Sequence, residues 1–122
     1  MALEYSVWTD IETKSGDEMN APDSALLRTD REEEARELLA SLAAKAREEL
    51  PPSRVDPDDG GDSYRVYLAI EVYDGSVDAQ WDLDDARVDL AEFYSYTGAW
   101  NYAVEVNGIG YKMAEKREAA VA

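Results

Sequence analysis

The sequence predicts an α+β domain: a mostly antiparallel sheet of about five strands with two helices on one face. Three observations carry this prediction. Residues 3–12, 64–73 and 76–83 alternate apolar and polar side chains with period 2, as half-buried strands do. Residues 30–49 repeat apolar side chains at helical spacing. Asp74-Gly75 and Asn107-Gly108 each stand between alternating runs, in the place of a two-residue hairpin turn.

In the first strand Leu3, Tyr5, Val7 and Ile11 fall on one side, and Glu4, Ser6, Trp8, Asp10 and Glu12 on the other. Residues 13–28 then break the pattern with Lys14-Ser15-Gly16-Asp17 and Asn20-Ala21-Pro22-Asp23, and read as a long polar loop. Thr29-Asp30-Arg31-Glu32 has the form of a capping box. Ala35, Leu38, Leu39, Leu42, Ala46 and Leu50 follow on one helical face, acids crowd the first turn, and Pro51-Pro52 ends the helix.

With Asp74-Gly75 as a two-residue turn, Val72 faces Val77, Ile70 faces Ala79, Leu68 faces Trp81 and Val66 faces Leu83. Every pair is apolar, so turn and pattern agree on register. Asn107-Gly108 gives a second hairpin in the same way, with strands near 100–106 and 109–114. Residues 84–97 fit a helix through Ala86, Leu90 and Phe93 with Gly98 past its end; strand alternation of Val88, Leu90, Tyr94 and Tyr96 is the rival reading. Residues 115–122 read as a frayed tail of one single domain, 1–122. The resulting order is β-α-β-β-α-β-β, whose first six elements match a split βαβ, ferredoxin-like unit.

Composition removes several function classes. The chain has no cysteine and no histidine, which excludes disulfides, thiol chemistry, Ser-His catalysis and the usual zinc sites. Gly60-Gly61 and Gly108-Ile109-Gly110 lack the lysine and following helix of a nucleotide loop, so no cofactor is expected. The N-terminus has no signal-peptide pattern and no run approaches a membrane span, so cytoplasm, or a virion for a viral protein, is the expected location.

The net charge of −16 is spread evenly: residues 1–61 carry 16 acids and 7 bases, and residues 62–122 carry 12 acids and 5 bases. Lysine is scarce, with four against eight arginines. An even, acidic, lysine-poor surface suits a protein of an extreme halophile or its virus; the rival reading is a surface that imitates nucleic acid. Direct binding of nucleic acid is not expected, since no basic patch is present to displace counterions.

Three groups of residues are candidate sites. Trp8, Tyr67, Ala69, Tyr73 and Ala103 alternate away from the core side of their strands, and would form an open aromatic sheet face of the kind that anchors protein interfaces. Asp85, Asp89 and Glu92 would form one acidic stripe on a helix from Asp84. Asp56, Asp58 and Asp62 lie in an Asp/Gly loop that resembles a calcium loop; Gly60 and Tyr67 stand where an EF-hand needs ligands. The expectation is a non-enzymatic interaction or assembly protein, such as a small viral connector, that binds a protein or its own copy through the aromatic face. The alternatives are an acidic DNA mimic and an enzyme that uses carboxylates alone.

Overall fold

A computed structural model of the chain describes residues 3–19, 21–22, 25–50, 63–75 and 79–121. The α+β class holds: a six-stranded antiparallel sheet carries two helices. Its centre is the pairing of β1 (Leu3–Thr13) with β4 (Tyr64–Asp74), in register over eleven residues from Leu3↔Asp74 to Thr13↔Tyr64. Each long strand is flanked on its outer edge by two short strands laid end to end. β2 (Glu18–Met19) and β3 (Leu27–Thr29) share the outer edge of β1. β5 (Ala79–Asp82) and β6 (Val88–Phe93) share that of β4.

The two helices, α1 (Glu32–Glu49) and α2 (Tyr96–Val121), lie together on the odd-numbered face of β1. Val7, Ile11, Val66, Leu68 and Ile70 of the sheet meet Ala35, Leu38, Leu42 and Ala46 of α1 and Ala99, Tyr102, Ala103 and Val106 of α2, all buried. Tyr102 Oη donates to Leu50 O at 3.1 Å, while a Cβ on Gly110 would meet Leu42 at 3.1 Å. The helices are therefore antiparallel, and at Gly110 a side chain would strike Leu42 of α1 and Leu26. No helix among the described residues is long and apolar enough to cross a membrane.

Several elements depart from the sequence reading. The 13–28 segment is not all loop. Gly16, at φ 96°, turns the chain, Thr13 N donates to Asp17 O at 2.8 Å, and β2 and β3 then pair back onto β1. In α1 the capping box does not close. Arg31 is the N-cap without a side-chain cap, and Thr29 Oγ1 accepts from Arg31 N instead.

The first hairpin exists in a different register. Asp74 pairs with Ala79 and Val72 with Trp81, so Asp74-Gly75 is not a two-residue turn. Leu68–Trp81, Ile70–Ala79 and Val66–Leu83 are not cross-strand pairs, and Val77 lies outside the described residues. The displacement is an even number of residues, so each side chain keeps its expected face. Leu68 and Val66 pair instead with Val88 and Ala91 of β6.

Residues 84–93 form a 3₁₀ turn (Asp84–Ala86) and β6 where a helix was expected over 84–97, and helix begins only at Tyr96, as the start of α2. A helix here would have left the Tyr64–Leu68 edge of β4 without a ladder partner. The second hairpin is absent: 100–106 and 109–114 both lie in α2, and residues 115–121 continue it. Ser95 Oγ accepts from Gly98 N at 3.0 Å and caps the helix three residues in. The observed order is thus β-β-β-α-β-β-β-α, and the two long strands β1 and β4, before and after α1 in the chain, are direct antiparallel neighbours. The split βαβ, ferredoxin-like arrangement is not formed.

Candidate functional site

With both helices on one side, the other face of the sheet is covered by no helix or strand among the described residues. The register lays it out as rows. Gln80, Tyr73 and Glu4 form one end. Asp82, Glu71, Ser6 and Arg28 come next, followed by Ala69 and Trp8. Asp89, Tyr67 and Asp10 follow, and Glu92, Arg65, Glu12 and Glu18 close the other end. A bulge at Leu90 of β6 makes this possible: Val66 pairs with Ala91 but Tyr67 with Asp89, so Asp89 and Glu92 point to the same side.

Four of the five expected interface residues are brought together here. Trp8 and Ala69 are directly opposed. Trp8 Nε1 donates to Ser6 Oγ at 2.8 Å, and the Arg28 guanidinium stands 5.7 Å from the Trp8 ring. Tyr73 is the most open, at 40% exposure, while Tyr67 keeps only 6%. Ala103 does not belong to the site. It lies on α2 and is fully buried against the other face of the sheet, because its segment is helical.

The sequence reading missed an ionic cluster that fixes one end of the face. Arg87 places its guanidinium carbon 3.9 Å from the centre of the Tyr67 ring. Its two terminal nitrogens donate to Glu12 at 3.1 and 2.5 Å, and its Nε to Asp89 Oδ1 at 2.9 Å. Arg65 Nε stands 3.5 Å from the same Glu12 carboxylate, which is largely buried, and Arg65 Nη2 donates to Lys14 O at 2.9 Å. The hydrogen bond to Glu12 holds the Arg87 proton more firmly than usual. Burial, then the charges of Asp10, Glu18 and Glu12, push the Tyr67 phenol far above its ordinary value. Arg87 carries no periodic signal, so only the fold brings it to Glu12.

The expected acidic stripe is divided. Asp85 sits in the 3₁₀ turn and pairs with Arg36 of α1 at 3.0 Å. Asp89 and Glu92 lie on the open face, because their segment is a strand and not a helix. Asp56, Asp58 and Asp62 lie outside the described residues. Among the described residues no three acidic side chains are placed to hold a metal ion.

Altogether the face carries eight carboxylates (Glu4, Asp10, Glu12, Glu18, Glu71, Asp82, Asp89, Glu92) against Arg28, Arg65 and Arg87, a net of −5. Two of its cross-strand pairs are like-charged: Glu12 opposes Glu18, and Glu71 opposes Asp82. Glu71 also accepts from Gln80 Nε2. Burial, then the charges of Asp82 and Glu18, raise the Glu71 carboxyl above its usual range, and Arg28 opposes them.

A folded carboxyl that holds its proton more firmly than the unfolded one costs stability above its titration range and nothing below it. Glu71→Gln is therefore expected to stabilise the protein at pH 7, by a few tenths to about 1 kcal/mol. Chemical denaturation at pH 7 and in acid checks this, since the gain should fade at low pH.

A groove of about 160 Å³ on the opposite side of the molecule runs between the helices, lined by Lys45, Glu49, Ile109, Lys112, Met113 and Lys116. The groove sets three lysines against the single carboxylate of Glu49. No protein-family model, curated protein or solved structure matches this chain.

Proposed function

We propose that the chain is a non-enzymatic interaction or assembly protein that receives a cationic protein surface on its open sheet face. The carrying observation is one face that combines the rings of Trp8 and Tyr73 with a net charge of −5. Ring faces and carboxylates together suit arginine and lysine side chains, which stack on the first and pair with the second. The same charge disfavours pairing of this face with its own copy. The even acidity of the whole chain, −16 in 122 residues, supports a setting in high salt, an extreme halophile or its virus, where a small structural or connector protein would work.

A second reading is the imitation of nucleic acid, so that the partner's basic surface is one that normally holds phosphates. The like-charged pairs Glu12/Glu18 and Glu71/Asp82 favour it, since they hold carboxylates in adjacent rows at a cost in stability.

The test is a Trp8→Ser, Tyr73→Ser double variant, compared with wild type in pull-downs from native extract at multimolar potassium chloride. Loss of the same specific partner, with the fold intact by circular dichroism, is expected. Retention of every partner would refute the proposal. Release of the partner by added duplex DNA would select the second reading.

A further inference from the structure

Helix α2 contains three glycines, Gly98 in its first turn and Gly108 and Gly110 farther along, and the surroundings of the last two differ. A Cβ on Gly110 would stand 2.9 Å from Leu26 Cδ1 and 3.1 Å from Leu42 Cδ2, so internal packing explains that residue. A Cβ on Gly108 would meet nothing within 4 Å. Among the described residues no packing contact calls for a glycine there. Yet a glycine in mid-helix disfavours folding about fivefold relative to alanine, through backbone entropy and lost propensity.

The neighbours of Gly108 show what the missing side chain leaves room for. Asn101, Val104, Glu105, Tyr111, Lys112 and Glu115 recur at spacings of three and four around it and are all exposed. They form one stripe with Gly108 on its midline. Val104, at 47% exposure, and Tyr111, at 38%, flank the glycine one turn to either side. An exposed valine and tyrosine either side of a bare backbone make a shallow seat for another helix, whose axis can approach closely at the glycine.

Charge identifies that helix. A symmetric dimer requires a surface that can meet itself. The open sheet face, at net −5, cannot do so without repulsion. In the α2 stripe and its border the charges cancel: Glu105 and Glu115 against Lys112 and Lys116. In an antiparallel pairing about a two-fold axis at Gly108, Glu105 lies three residues before the axis and Lys112 four after it. Each Glu105 then approaches the partner's Lys112, twice over, and each Tyr111 lies over the partner's Val104–Gly108 turn.

We infer that the protein forms a two-fold dimer through α2, with the two helices crossing antiparallel at Gly108. The dimer leaves the aromatic sheet face, on the other side of the molecule, free in both subunits. High salt favours it, because each subunit of net charge −16 repels the other until that charge is screened.

The test uses Gly108→Ala, whose two effects have opposite signs. In dilute, low-salt solution, where the protein is monomeric, the variant should improve the folding equilibrium about fivefold, as alanine does over glycine in an open helix. In multimolar potassium chloride, light scattering and sedimentation should find the wild type dimeric and the variant's dissociation constant raised at least tenfold. Val104→Glu should abolish the dimer. A wild type that stays monomeric at its highest soluble concentration in brine would overturn the inference. So would a dimer that Gly108→Ala and Val104→Glu leave intact, or one lost instead in the Trp8→Ser, Tyr73→Ser variant.

Discussion

Thermal unfolding is expected to shift upward by on the order of 10 °C between about 0.1 M and 2 M potassium chloride, an ionic-strength span over which screening shortens from ~10 Å to under 3 Å. The cause is the charge of −16 spread along both halves of a 122-residue chain. Folding brings those carboxylates together, most of all on the open sheet face with its Glu12/Glu18 and Glu71/Asp82 pairs. Salt screens this repulsion over the whole surface. It weakens few attractions in return, since the strongest ionic group, Arg87 on Glu12, is partly shielded from solvent. Calorimetry across a potassium chloride series checks the shift. A melting temperature independent of salt would show that the acidity does not burden the fold.

Glu12→Ala is expected to destabilise the protein by about 2–3 kcal/mol, the most of any single change on the open face. The Glu12 carboxylate is 8% exposed and receives two hydrogen bonds from Arg87 and the charge of Arg65 at 3.5 Å. Its loss leaves two guanidiniums adjacent to each other with no shared counterion. Arg87 keeps Asp89, and Arg65 keeps Lys14 O, which is why the cost stays below that of a fully buried pair. Arg87 would also lose its anchor over the Tyr67 ring. Glu12→Gln, which keeps acceptor and volume but not charge, should fall between. Urea denaturation of the three proteins measures the series, and equal stability of all three would remove the cluster from the account.

Much of this arrangement was legible before the structure, where a single period governed a segment. In β1, alternation separated Val7 and Ile11 from Trp8, Asp10 and Glu12, and the structure keeps every one of them on its expected side. In α1 the apolar repeat from Ala35 to Ala46 matches the buried face. Tyr67, Ala69 and Tyr73 were placed correctly opposite the core side of β4, and the error in the hairpin register did not move them, being even.

The failures have physical causes. In α2, Tyr102, Val104 and Val106 alternate as a strand would, and Asn107-Gly108 imitates a turn. The helical face is written in Ala99, Tyr102, Ala103, Val106 and Gly110, where small residues carry little hydrophobic signal. Ser95, three residues before Gly98, was the missed start signal. In β6 the bulge at Leu90 breaks the alternation, so Ala86, Leu90 and Phe93 read as one face of a helix. The Glu12–Arg87 contact spans 75 residues, and local pattern cannot report such a pairing.

The three tryptophans give the most direct test of the open face as the docking surface, because each reports a different region. Trp8 lies on the open face with its indole N–H on Ser6, Trp81 lies on the edge strand β5, and Trp100 packs from α2 beside Tyr96. The measurement is the indole N–H region of a ¹H–¹⁵N spectrum, recorded while the captured partner, or an arginine-rich peptide as cationic probe, is titrated in. The Trp8 resonance is expected to move saturably, with Trp81 and Trp100 unchanged. Movement of Trp100 or Trp81 with Trp8 stationary would contradict the account and place the docking surface elsewhere on the molecule.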